Sequence, residues 1–179
     1  MRSMATIGAV PAGRPLPADS ILEMHAARLL LLLRLAGRKN KVDGLTKLAK
    51  LDFFVRYPQF FERVSSIDSS GELRSGDAGM VRHHYGPWDP RYYDVLSYLE
   101  SRGLLRVTRK QGAFSFLLTD IGVEVADTLS SSEVFMPQAE QIRAVGKAFG
   151  TKSGSWLKNH IYSEFAAEIE DLPLGSEIS

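Results

Sequence analysis

The feature that most constrains the fold lies between Gly103 and Thr119, where the apolar pattern changes from helical to strand-like and back. Leu104-Leu105-Arg106-Val107-Thr108 and Ala113-Phe114-Ser115-Phe116-Leu117-Leu118 are strand-like, and Arg109-Lys110-Gln111-Gly112 joins them, which predicts a β-hairpin with a Gly-containing turn. Just upstream, Tyr92, Val95, Leu96 and Leu99 fall at i, i+3, i+4 and i+7, one apolar stripe of a helix. Gly103 supplies the left-handed turn that stops it. Pro87 disfavours helix before Trp88, Asp89 is placed to cap the helix, and Pro90 takes its first position, where a missing N–H costs nothing. After the hairpin, Thr119 caps another helix, Asp120 to Leu129.

The rest of the chain fits around this unit. Residues 1–19 are rich in Ala, Gly and Pro without an apolar period, which predicts a disordered arm. Ser20-Ile21-Leu22-Glu23 has the form of a capping box and opens a first helix running to about Ala36, with Gly37 after it. Leucines occur nearly all round that helix, so it belongs to a core or to a subunit interface. A second helix spans about Gly44 to Tyr57, with Lys47, Lys50 and Arg56 assigned to its outer face, and Pro58 closes it. A short third helix follows to about Ile67, then a polar loop from Asp68 to Ala78. Two more helices are expected at about Pro137 to Phe149 and Ser155 to Ile169.

Helix, helix, helix, two-stranded wing, helix is an order that resembles the winged helix-turn-helix family, and "YLESRGLLRVTRKQGAFSFLLTDIGVEVADTL" carries that resemblance. The expected fold is therefore mainly α with a small β-hairpin wing: a winged helix-turn-helix core over residues 20–129 with extra C-terminal helices over 130–179, which end in an acidic tail. One departure from the family is a segment at about 58–88, inserted where a tight turn would join the second helix to the recognition helix.

Several function classes find no support in the sequence. With 179 residues, 44% of them apolar and 24% charged, the chain has the profile of an ordinary globular protein. It contains no cysteine, hence no disulfide or thiolate chemistry, and nothing points to export. The apolar run Leu29 to Leu33 is too short to span a membrane and is bracketed by Arg28 and Arg34, so no membrane association and a cytoplasmic location are expected. His83 and His84 are adjacent, and in an extended segment they would point to opposite sides; a structural role, with an imidazole bonded to the Gly-Pro turn, is the simpler reading. No metal-ligand spacing or phosphate-binding loop occurs, so a non-catalytic protein without cofactor or metal is expected.

Charge narrows the partners. The net charge is only +1, but Arg28 to Lys50 carries a local +6 and Glu164 to Ser179 a local −5. Such a chain could set a basic face against nucleic acid, or pair its own ends. The helix from Asp89 to Arg102 has a net charge of −1 and no Asn or Gln, whereas base reading needs Arg, Lys, Asn or Gln at base edges. Its surface suits a protein partner, and Trp88, Arg91, Tyr93, Ser97 and Tyr98 are the candidate contacts. The wing is basic: Arg106, Arg109 and Lys110, with Lys47 and Lys50, are the candidates for nonspecific contact with a DNA backbone.

Three stretches together carry a narrower resemblance: "LTKLAKLDFFVRYPQFF", "MVRHHYGPWDPRYYDVLSYLESRGLL" and "SWLKNHIYSEFAAEIEDLPLGSEIS". In this order they resemble the winged-helix accessory, or middle, components of bacterial ABC three-component, Lamassu-like anti-phage defence systems. The resemblance implies a non-catalytic subunit that docks on an SMC/Rad50-like ATPase and helps couple DNA sensing to an effector nuclease. Tyr85-Gly86-Pro87 is also similar to the corner of SocA-like toxin adaptors or antitoxins. A free-standing winged-helix regulator, a homodimer through the leucine-rich first helix, is the further alternative.

Overall fold

The structure, a computed structural model, describes residues 21–65, 79–110 and 112–178. The arm at 1–19, the Ser20 cap and the polar loop at 68–78 lie outside the described residues. The chain is mainly helical with a small antiparallel sheet. Helix α1 (Leu22–Leu35) is apolar on every side, and every residue from His25 to Leu33 is buried. Four other helices pack around it, α2 (Leu45–Arg56), α4 (Tyr92–Ser101), α5 (Asp120–Ser130) and α6 (Met136–Phe149). Leu29 to Leu33 therefore face the core of this same chain.

The predicted β-hairpin forms as β4 (Leu105–Lys110) and β5 (Ala113–Leu118), in register from Leu105 opposite Leu118 to Lys110 opposite Ala113. Period-2 burial sends Leu105, Phe116 and Leu118 into the core while Arg106 and Thr108 face out. A third strand, β1 (Lys41–Asp43), has no signal in the sequence pattern; it follows a left-handed turn at Lys39-Asn40 and pairs with β5, so the order is β1-β5-β4. Gly103 takes the predicted left-handed conformation at φ 69°. The apolar stripe of α4 is as expected, with Tyr92, Val95, Leu96 and Leu99 all buried.

Between α2 and α4 lie a short helix, α3 (Pro58–Val64), and a second hairpin, β2 (Val81–His83) and β3 (Gly86–Trp88). Helix α4 begins at Tyr92, two residues later than expected, because Asp89-Pro90-Arg91 forms a turn of its own: Asp89 Oδ1 accepts the Arg91 N–H (2.9 Å). Helix α6 crosses the end of α1 at Gly146, where a Cβ would stand 2.8 Å from Ala36 Cα. Helix α7 (Gly154–Glu164) is shorter than predicted, and a π-helical turn (Ala166–Glu170) follows it. Phe165, buried at the break, packs edge-on against Phe60 at 4.8 Å, so tertiary packing and not local preference ends the helix.

Candidate functional site

Beneath the start of α4 lies a buried ionic cluster that links α1, α2 and the Asp89 turn. Arg28 Nε donates to Asp52 Oδ1 (2.9 Å), Tyr92 Oη donates to Asp52 Oδ2 (2.8 Å), and Arg56 Nη1 donates to Asp89 Oδ2 (2.7 Å). Arg91 clamps Asp89 from outside through two bonds, Nε to Oδ1 (2.9 Å) and Nη2 to Oδ2 (2.7 Å). Asp52 is fully buried, and burial alone would push its carboxyl up; Arg28 and Arg56 reverse this and hold it below the usual carboxylate range. Asp89 is held well below that range against its own burial, first by the Arg91 hydrogen bonds. His25, only 1% exposed, sits with Nε2 3.9 Å from Asp89 Oδ2, and neither ring nitrogen has a hydrogen-bond partner among the described residues. Burial, reinforced by Arg28, lowers its pKa to about 4. The cluster fixes the entry to α4 in one geometry, since a charge displaced from its partners there would remain uncompensated in a dry interior.

A second anchor holds the Tyr85-Gly86-Pro87-Trp88 corner. Lys50, 1% exposed, donates from Nζ to the Pro87 carbonyl (2.7 Å) and lies against Gly86, whose φ of 87° only a glycine adopts freely. Burial, with Lys158 nearby, lowers its pKa to about 7. Lys50 is thus not a DNA contact on an outer face; it is an internal prop of the corner, and Arg56 is likewise internal. Helix α2 is buried on nearly all sides from Leu48 to Arg56, so its charged residues pair inward. Lys47 is half-buried and donates to the Gly150 carbonyl (2.7 Å), which engages its charge as well.

On this base an aromatic face is displayed. Ring centroids run from His84 to His83 (5.2 Å), His83 to Trp88 (5.6 Å) and Trp88 to Tyr93 (6.0 Å), with Tyr92 edge-on beneath Trp88 (5.3 Å). Tyr93 is 63% exposed, Ser97 is exposed beside it, and Trp88, Arg91 and Tyr98 are half-buried. The structure brings Trp88, Arg91 and Tyr93 together at the start of α4, with Ser97 and Tyr98 on its following turns. His84 occupies the hairpin turn and not a strand, so the two imidazoles touch at 82° and do not point apart. The Gly-Pro corner is braced through main chain, the Tyr162 hydroxyl lying 3.4 Å and 3.2 Å from the His83 and His84 carbonyls.

The β4–β5 hairpin is the second surface. Arg106 and Arg109 are exposed, and Arg109 lies over the Phe114 ring with its guanidinium carbon 5.4 Å from the centroid. Lys110 belongs to β4, but its side chain is outside the described set. The basic run from Arg28 to Lys50 does not form one face: Arg28 pairs with Asp52, Arg34 with Asp127 (2.8 Å), and Lys41 with Asp43 (3.0 Å). The acidic C-terminal run is likewise partly engaged, with Glu168 bound to Arg63 (2.7 Å). Among the described residues no group of three or more His, Asp or Glu side chains could hold a metal ion, and no helix is long and apolar enough to cross a membrane.

Sequence reasoning missed the roles of His25, Asp52, Arg56 and Lys50. One signal was available: charges at 50, 52 and 56 interrupt a stretch, Leu48 to Arg56, whose other residues are all apolar. No family model, curated protein or solved structure matches the chain.

Proposed function

We propose that this protein is a non-catalytic winged-helix accessory subunit that docks on an SMC/Rad50-like ATPase of a bacterial anti-phage defence complex, and that its basic wing touches DNA backbone without reading sequence. The winged-helix reading is supported by the succession α1, β1, α2, α4, β4, β5 with sheet order β1-β5-β4, α3 and the second hairpin being an insertion. The observation that carries the docking role is the Trp88–Tyr93 face. It is aromatic, exposed and held rigid from below by the Asp52/Asp89 cluster and Lys50. Aromatic side chains with little freedom left to lose are the usual anchors of protein interfaces. Base reading finds less support, because α4 turns Tyr93, Asp94, Ser97 and Glu100 outward.

Backbone contact rests on Arg106 and Arg109, with Lys110 beside them in sequence. Charge reversal of all three tests it: each phosphate that is no longer neutralised lowers the slope of log K against log salt by about 0.9. DNA association of the free protein and of the complex is expected to weaken across all sequences while the complex stays assembled. Unchanged affinity in both would remove the wing from the proposal.

A further inference from the structure

We infer that the outer edge of β2 is a strand-accepting groove which the chain fills with its own segment Gly175–Ile178, and that an extended partner segment bearing a carboxylate followed by a β-branched aliphatic residue can take its place. One edge of β2 pairs with β3; the other pairs antiparallel with this segment, with Val81 opposite Glu177. The bonds are those of a ladder: Ile178 N–H to the Met80 carbonyl, Arg82 N–H to the Ser176 carbonyl, and Gly175 N–H to the Arg82 carbonyl, each 2.8 Å. The Tyr57 hydroxyl clasps both partners, accepting from Met80 N–H (2.6 Å) and donating to the Ile178 carbonyl (3.0 Å).

Two side chains of the segment are read. Ile178 is buried to 1% exposure, and the Glu177 carboxylate accepts the Gly79 N–H (3.1 Å). A side chain at position 79 would collide with that carboxylate, so the glycine leaves room for it. Pro173, Leu174 and Gly175 are exposed. The groove thus grips main chain and one aliphatic side chain, with the exposed Glu177 carboxylate resting on the Gly79 amide, which suits strand addition: main-chain bonds for affinity and the Ile178 pocket for selectivity. Any extended segment that supplies the same pair satisfies the same donors and acceptors. The groove lies on the edge of β2 away from β3, which carries Trp88.

The test is a fluorescence anisotropy titration of a labelled, amidated peptide of residues Asp171–Ile178 against the full chain and its Ile178→Asp variant. The wild type, whose groove is occupied in cis, should bind the peptide at least tenfold more weakly than the variant. A peptide with Ile178 replaced by Asp should bind neither. Ile178→Ala serves if the aspartate unfolds the chain, and circular dichroism identifies folded samples. In the wild type, excess unlabelled peptide should accelerate hydrogen exchange of the Ile178 amide while the Arg82 amide stays protected. Equal peptide affinity for wild type and a folded variant, or no binding to either folded variant, overturns the inference.

Discussion

Replacing His25 by leucine should leave the protein as stable at neutral pH while removing most of its sensitivity to mild acid. The imidazole is buried with no hydrogen-bond partner on either nitrogen among the described residues, and its pKa falls from 6.5 to about 4. Above pH 6.5 it is neutral in both folded and unfolded chains. As the pH drops below 6.5 the unfolded state takes up a proton that the folded state refuses until about pH 4. Stability is therefore full above pH 6.5 and is lost progressively down to pH 4. At about 1.36 kcal/mol per unit the loss amounts to about 2 kcal/mol by pH 5 and about 3 kcal/mol by pH 4. His25→Leu removes this contribution. At pH 7.5 it also removes a desolvated polar ring, so its effect there should stay within about 1 kcal/mol of neutral or be stabilising. Urea unfolding of both proteins at pH 7.5, 6 and 5, followed by circular dichroism, measures the difference, and taking it between variants cancels the other titrating groups. A wild type that loses less than about 0.5 kcal/mol between pH 7.5 and 5 refutes this role for His25. A leucine variant that loses as much as the wild type refutes it equally.

Other perturbations probe the remaining parts. Asp52→Ala removes the carboxylate that faces Arg28 and accepts the Tyr92 hydroxyl, so it should cost about 3–5 kcal/mol in denaturant unfolding. Gly86→Ala forces a side chain into a left-handed φ of 87° beside Lys50 and should cost about 1–2 kcal/mol, read as a lower melting temperature. Tyr93→Ala, on an exposed ring, should change stability by less than about 0.5 kcal/mol yet weaken partner binding by about 2 kcal/mol, which calorimetric titration against the purified ATPase measures.

What was legible in the sequence was what short-range periodicity encodes. The α4 stripe, the Gly103 stop and the β4–β5 hairpin all follow from spacing within one element and its neighbour. Strand β1 was not legible, because three residues carry no period and their pairing is with β5, more than seventy positions away. The β2–β3 hairpin was hidden by Gly86-Pro87, which reads as a turn and removes a ladder donor. Lys50 and Arg56 misled because charge on a helix ordinarily marks its wet face, and their partners, at Pro87 and Asp89, come from other elements. The aromatic character of the Trp88–Tyr93 face was visible, but the cluster beneath it appears only once α1, α2 and the Asp89 turn are brought together.

The most direct test of the docking claim is an affinity capture of the tagged protein from its native host at moderate salt with nuclease treatment, alongside a Tyr93→Asp variant, read by mass spectrometry. The expected result is a large SMC-like ATPase in stoichiometric amount with the wild type and its loss with the variant. Recovery of the protein alone, bound specifically to its own upstream DNA, would contradict it.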